Sequence, residues 1–317
     1  MVTIQTQNFG VEIEMTGITR QTAADVVAQY YGTIPSDYGI GHYDTYTAED
    51  AKGRIWKAMR DSSIKAERKM GKATVTADWD YCCELVTPIL QYEDIEPLQE
   101  IVRLLVKKGA IVNNSCGIHI HIDGANHTPQ SLVRLLNFAV GRQELFNEVL
   151  GNQHRVTTYC KNTSKKLLTA LKNEPEMTKE RLEQIWYSPV NDNYNGTRNH
   201  EHYNDTRYHG INLHAFFTKG TVEFRLFNST LHAGKIKAYI QFCLAMSAWA
   251  INTDSKQLFF KYCGSYTNEQ KEKLMKGMLK RRLGMTGKEF KTARLHLTAA
   301  FRVNKDQTTA EETEVVA

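Results

Sequence analysis

Residues 117–123 read Gly-Ile-His-Ile-His-Ile-Asp, an alternation that puts Ile118, Ile120 and Ile122 on one side of an extended chain and His119, His121 and Asp123 on the other. The pattern recurs twice. In residues 9–15 (FGVEIEM), Val11, Ile13 and Met15 oppose Glu12 and Glu14, and in residues 222–226 Val222, Phe224 and Leu226 oppose Glu223 and Arg225. A fourth stretch, ELVTP at 84–88, places Glu84 at its head. A period of two belongs to β-strands, and a polar residue at every second position suits an antiparallel sheet with one face open better than a parallel sheet covered on both faces.

Working outward, alternation also predicts strands over 54–59, 73–87, 110–123, 207–217 and 221–227, the last two forming a hairpin across Thr218-Lys219-Gly220. Helical periodicity predicts helices over 22–31, 95–108, 128–150, 163–172, 179–186, 235–251, 269–283 and 288–301. Thr128 and Pro129 read as N-cap and first helical residue, and Gly109 follows two lysines as a helix stop. With no repeat and no proline-rich linker, the simplest organisation is one α+β domain over 1–303, its last part (253–303) helical, followed by a disordered acidic tail over 304–317.

Composition sets the outer bounds. A chain of 317 residues with 41% hydrophobic and 24% charged residues buries a large core without staples. The most apolar stretch, 242–251, is interrupted by Ser247 and falls well short of the ~20 residues a bilayer crossing needs. The first fifteen residues have no leader pattern, so a cytosolic setting is expected. Six cysteines without C-x-x-C spacing read as reduced packing thiols, Cys116 beside the candidate site among them. Net charge is +5, but residues 271–294 hold nine Lys/Arg against Glu272 and Glu289; such a segment is a solvated face or a contact for an anion or nucleic acid.

Any one of the polar strand faces could simply show charges to water. Taken together, their outward positions are nearly all carboxylates, imidazoles and one guanidinium. If the strands are neighbours, Glu12, Glu14, Glu84 and Glu223 crowd beside His119 and His121, an arrangement that needs cations. Several carboxylates with few imidazoles and no thiolate suit Mg²⁺ or Mn²⁺. Arg225, two positions from Glu223, has the fork geometry for a phosphoryl group beside such an ion. Neither a P-loop nor a Rossmann glycine motif is present, so the sheet itself would hold the phosphates.

These residues resemble the amidoligase family. The resemblance rests on FGVEIEM (9–15), W-x-x-x-x-D-x-S from Trp56 to Ser63, ELVTP (84–88), GIHIHID (117–123) and RYHGINLHAFFTKGTVEFRLFNSTL (207–231), in that order. Its catalytic sheet is similar to those of glutamine synthetase and glutamate-cysteine ligase. The resemblance implies a curved antiparallel sheet with helices on its outer face, whose concave face binds ATP and two or three divalent cations. It implies an ATP-dependent carboxylate–amine ligase, forming an amide such as a γ-glutamyl or peptide-like bond through an acyl phosphate, from small-molecule or peptide acids and amines. By motif, Glu12, Glu14, Glu84, His119 and Glu223 are implied metal ligands. Arg225 is implied as the catalytic phosphate-binding arginine, and His119, Arg207 and Asn212 as further contacts to ATP or to the substrate carboxylate, with Glu223 and Arg207 also in the catalytic set. Asp61 and Ser63 line the pocket or form a turn, and His121 and Asp123 either act directly or pair at the strand end. Tyr187, Asn191, Tyr194 and Arg198 lie in a segment that could face the variable substrate.

Two other readings stay open at this level. H-x-H at a strand end also marks metal-dependent amide hydrolases, although E-x-E and E-x-R have no place there. The basic segment at 271–294 could lead an anion- or nucleic-acid-binding module, although the acidic cluster argues against nucleic acid lying on the sheet itself. Assembly into a homo-oligomer is open.

Overall fold

The computed structural model describes residues 1–174, 176–191, 200–254 and 266–302, with 36–40 described by backbone alone. Ten strands run in chain order: β1 Phe9–Met15, β2 Ser36–Ile40, β3 Thr45–Glu49, β4 Ile55–Met59, β5 Glu67–Met70, β6 Ala73–Thr76, β7 Cys83–Val86, β8 Gly117–Asp123, β9 Ile211–Asn212 and β10 Thr221–Asn228. Eight of them form one antiparallel sheet in the order β2-β3-β4-β7-β1-β8-β10-β9, while β5 and β6 make a separate hairpin. The expected antiparallel α+β architecture is the one observed, and the four strands with carboxylate or imidazole faces (β7, β1, β8 and β10) are consecutive neighbours.

The alternation decides the layers. Val11, Ile13, Met15, Leu85, Ile118, Ile120, Ile122, Val222 and Phe224 are all buried on one side of the sheet. Helices cover that side: α1 Arg20–Tyr31 lies against β3, β4 and β7, while α2 Ile95–Lys107 and α3 Pro129–Val140 each pack on α8 Ala233–Asn252, which lies on β8. Between α3 and α8 the chain forms α4 Gln143–Leu150, α5 Lys165–Lys172, α6 Lys179–Trp186 and the short α7 His214–Lys219, and after α8 come α9 Asn268–Gly277 and α10 Lys291–His296. Because α8 touches the sheet, α2, α3 and α10 at once, it is buried on nearly all sides. Its apolar run is therefore a core helix. Among the described residues no helix is long and apolar enough to cross a membrane.

Several sequence boundaries move for local reasons. The expected helix over 128–150 starts as predicted, with the Thr128 side chain accepting from the Ser131 amide, but breaks at Gly141-Arg142, where the Arg142 guanidinium folds back over the Phe138 ring. The expected strand over 73–87 is interrupted by a 3-10 turn at Trp79–Tyr81 capped by Asp78. Only 117–123 of the stretch 110–123 is a strand. The expected hairpin over 207–227 is wrong. Arg207 sits in a 3-10 turn (Asp205–Tyr208), β9 is two residues long, and His214–Lys219 is a helix whose C-cap is Gly220 at φ 76°. Gly220 thus supplies the left-handed conformation foreseen for it, at a helix end and not in a hairpin. The basic segment divides where expected, between 283 and 288: α9 runs on through a π turn (Met278–Arg282), and Gly284 at φ 66° separates it from the 3-10 turn Lys288–Phe290 and α10. Tyr194, Arg198, Cys263 and the 304–317 tail lie outside the described residues. The other five cysteines are buried free thiols.

Candidate active site

Strand register builds the site. Glu12 of β1 pairs directly with His119 of β8, Glu14 pairs with Glu84 of β7, and Glu223 of β10 pairs with His121. Directly opposed residues share a face and stand about 5 Å apart, so three backbone pairings bring six of these side chains into one patch. His119 Nδ1 lies 2.9 Å from Glu12 Oε2, and its Nε2 lies 3.5 Å from Glu14 Oε1. His121 Nε2 is 3.2 Å from Glu12 Oε1 and 3.8 Å from Glu223 Oε1, while its Nδ1 meets the Thr221 hydroxyl at 3.0 Å. Glu14 accepts the Gly117 amide at 2.6 Å, and Glu223 accepts Arg225 Nη1 and Asn212 Nδ2, each at 2.6 Å.

A bulge in β10 sets the last strand. Phe224 pairs with Ile120 but Phe227 pairs with Ile118, so Arg225 and Leu226 together oppose His119. The extra residue keeps Glu223 and Arg225 on the polar face and then returns the chain to the core through Phe227, which stacks on Tyr239 at 4.3 Å, where simple alternation assigned Leu226 that place.

The polar face is buried, not open. Glu14, Glu84, His119, Glu223 and Arg225 are each under 10% exposed. Burial pushes the carboxyls of Glu84 and Glu14 up, and for Glu84 the neighbouring charges of Glu12 and Glu14 add to the rise. Burial acts the same way on Glu12 and Glu223 but is outweighed: His121 and His119 hold Glu12 well below the usual carboxylate range, and Arg225 and His121 hold Glu223 at about 2. His121 is raised, because Glu12 and Glu223 overcome the opposing effect of burial.

Three overlapping groups have ligand atoms within 4.8 Å of one another: Glu12, Glu84 and His119; Glu12, His121 and Glu223; Glu14, Asp61 and Glu84. The buried Nε2 atoms of His119 and His121 make no hydrogen bond among the described residues. Orphaned imidazole nitrogens facing carboxylates, with two carboxyls directly opposed at Glu14 and Glu84, are donors of the kind that would suit a hard cation.

The sequence pattern of a family described as "putative amidoligase enzyme" matches residues 5–247, which takes in every strand of this patch. The chain belongs to the amidoligase family. No curated protein matches it. Among solved structures it is similar to a bifunctional glutathione synthetase from Pasteurella multocida, at 14% identity and a TM-score of 0.42, over 98% of this chain and 49% of that one. The chain thus spans about half the length of that protein.

In this amidoligase the patch floors a cavity of about 1100 Å³, above the roughly 300–1,000 Å³ usual for one small ligand. Glu12, Glu14, Glu84, His119, Glu223 and Arg225 all line it. Asp61 and Ser63 line it too, and also form a turn, the Ser63 amide donating to Asp61 Oδ1 at 2.7 Å, so the two sequence alternatives hold together. Arg207 reaches the cavity from its turn, held by the His202 carbonyl at 2.8 Å and stacked near the Tyr203 and Tyr208 rings. Asn212 does not line the cavity. Its amide is spent on Glu223 and its carbonyl oxygen on the His214 amide, so it stands behind the site.

Tyr187 and Asn191, expected near substrate, are buried elsewhere, bonded to His214 Nδ1 and to the Trp186 carbonyl. Asp123 is drawn into the turn after β8, accepting from Ala125, and does not pair with His121. Cys116 is buried, its thiol pushed up to about 11 by burial, which fits packing and not nucleophilic chemistry. His121 belongs in the central set, and the H-x-H spacing carried that signal. Arg155, buried in the cavity wall, belongs to no motif and had no sequence signal.

Proposed function

We propose that this amidoligase is an ATP-dependent carboxylate–amine ligase, using Mg²⁺ or Mn²⁺ and working through an acyl phosphate. A carboxylate oxygen of the acid attacks the γ-phosphorus of ATP and ADP leaves; an amine nitrogen then attacks the acyl carbon, and phosphate and a proton depart. The carrying observation is the convergence of Glu12, Glu14, Glu84, Glu223, His119 and His121, from four adjacent strands, into three cation-sized groups beside Arg225. Phosphoryl transfer needs positioning and charge neutralisation more than covalent help from the protein.

The carboxylates and imidazoles fit divalent cations, which would supply neutralisation of the triphosphate and polarisation of its γ-phosphoryl group. Glu12 lies at the centre because it is shared by two of the three groups, and Glu84 links the first group to the Glu14–Asp61 end. Arg225, oriented by its bond to Glu223, is the guanidinium placed to meet the transferring group, and Asn212 positions Glu223 from behind. Arg207, at the cavity wall among aromatic rings, is placed for a phosphate or carboxylate farther from the cations. The cavity volume suits two substrates held together.

The test is product mass spectrometry after incubation with Mg²⁺, ATP, glutamate or small peptides, and a pool of amines. A ligase yields an amide and ADP only when acid and amine are both present. Amide cleavage without any need for nucleotide would replace this reading with a hydrolase.

A further inference from the structure

Arg155 lies between α4 and α5, outside every strand that builds the patch, yet it is 2% exposed and lines the large cavity. Its position is tightly made. The Arg155 carbonyl accepts the amides of Thr158, Tyr159 and Cys160 at 3.1, 2.9 and 3.1 Å, and Asn152 ties the turn to β10 by donating to the Leu226 carbonyl at 2.6 Å. From there the guanidinium reaches the start of β8. A Cβ built on Gly117 would lie 2.3 Å from Arg155 Nη2. Gly117 is not among the glycines with positive φ, so what it supplies is space for the guanidinium and not an unusual backbone angle.

The seat is well built but the charge is unmatched. Arg225, the other buried arginine of the cavity, is joined to Glu223 at 2.6 Å. Arg155 forms no ion pair among the described residues, and its buried Nε and Nη1 donate no hydrogen bond there; its neighbours are the Tyr159 ring, the Cys160 thiol and, farther off, Glu14. Holding a guanidinium this way is costly unless an acceptor arrives from outside the chain. We propose that Arg155 is an oxyanion-binding residue, its free N–H groups receiving a phosphoryl or carboxylate group of a substrate at the Gly117 end of β8. The identity of that group as part of ATP or of the acid rests on the ligase reading; anion binding by Arg155 does not.

Calorimetric titration of the full chain with inorganic phosphate and, separately, glutarate, at fixed magnesium chloride, tests this without turnover. Arg155→Met should weaken binding of at least one anion by 10-fold or more, with Arg155→Lys recovering part of the loss. Gly117→Ala, which displaces the guanidinium but retains it, should weaken the same anion. Without ligand, Arg155→Met should melt at or above the wild-type temperature, since it removes an unmatched buried charge. A rise in KM for ATP, or for the acid, then identifies the source of the oxyanion. The proposal is overturned if the wild type binds neither anion, or if Arg155→Met binds both as wild type does. Absence of ATP turnover with anion binding still dependent on Arg155 would remove the ligase reading and leave this one standing.

Discussion

Glu12 and His119 face each other across the β1–β8 pairing, their backbones in direct register and their side chains 2.9 Å apart. That contact leaves His119 Nε2 turned toward Glu14 without a hydrogen bond and Glu12 Oε1 near His121. Glu12 is therefore the residue through which two of the candidate cation groups are joined.

Glu12→Gln keeps shape and half-burial but removes the charge. It should fold with an unchanged far-UV spectrum and lose metal-dependent ATP turnover by more than about 100-fold, beyond the 10–100-fold typical of residues one shell removed from a metal. Turnover at the wild-type rate in that variant would exclude Glu12 as a ligand.

Arg225→Ala should lower turnover by roughly 10³-fold or more, by analogy with arginines that stabilise a transferring phosphoryl group. It also strands the buried Glu223 carboxylate, a loss of about 3–5 kcal/mol for a broken buried pair. Arg225→Lys retains charge without the fork, so a steady-state assay should find it better folded than Arg225→Ala yet still severely slowed.

Without cations, Glu14 and Glu84 hold protons in the folded state that the unfolded chain releases, so their contribution makes stability fall as pH rises above the ordinary Glu value near 4.3. Magnesium or manganese should cancel this and release protons on binding, with affinity rising with pH. At one hundred times Kd the gain is about 2.7 kcal/mol, a rise of roughly 4 °C in melting temperature for a chain of this length, which EDTA reverses. Scanning calorimetry at pH 6 and 8, with and without metal, reads all of this.

His127 gives the opposite sign on the acid side. Buried between the Ser131 and Ser247 hydroxyls, it is held down to about 4, burial being the main cause. Its neutral form contributes full stability above about 6.5, and that contribution is lost as pH falls from there toward 4, on the order of 3 kcal/mol. His127→Gln should flatten this limb of a stability-against-pH curve measured by urea denaturation; an unchanged slope would assign the limb to other groups, such as the similarly lowered His214.

Much of the site was readable before any fold was known. Residues 9–15, 117–123 and 222–224 each divide into an apolar and a charged side as read, and Thr128-Pro129 opens its helix as read. The failures have physical causes. Alternating aromatic and polar residues at 207–217 imitate a strand, but only Ile211 and Asn212 find a partner edge on β10. The switch from Leu226 to Phe227 depends on a bulge, which is a relation between two strands and leaves no local pattern. Arg155 sits in an irregular turn whose position is dictated by Asn152 on β10 and by the room above Gly117.

Which side chains share a side of each strand was determined by the chain alone, because the pleat of L-residues alternates whatever surrounds it. That β7, β1, β8 and β10 lie next to one another was decided by the tertiary structure, as was the near-complete burial of the charged face and the arrival of a second guanidinium from a distant loop. Strand order follows from covering the whole apolar face with α1, α2, α3 and α8 and from closing the intervening loops, and these are properties of the entire chain that no single segment carries.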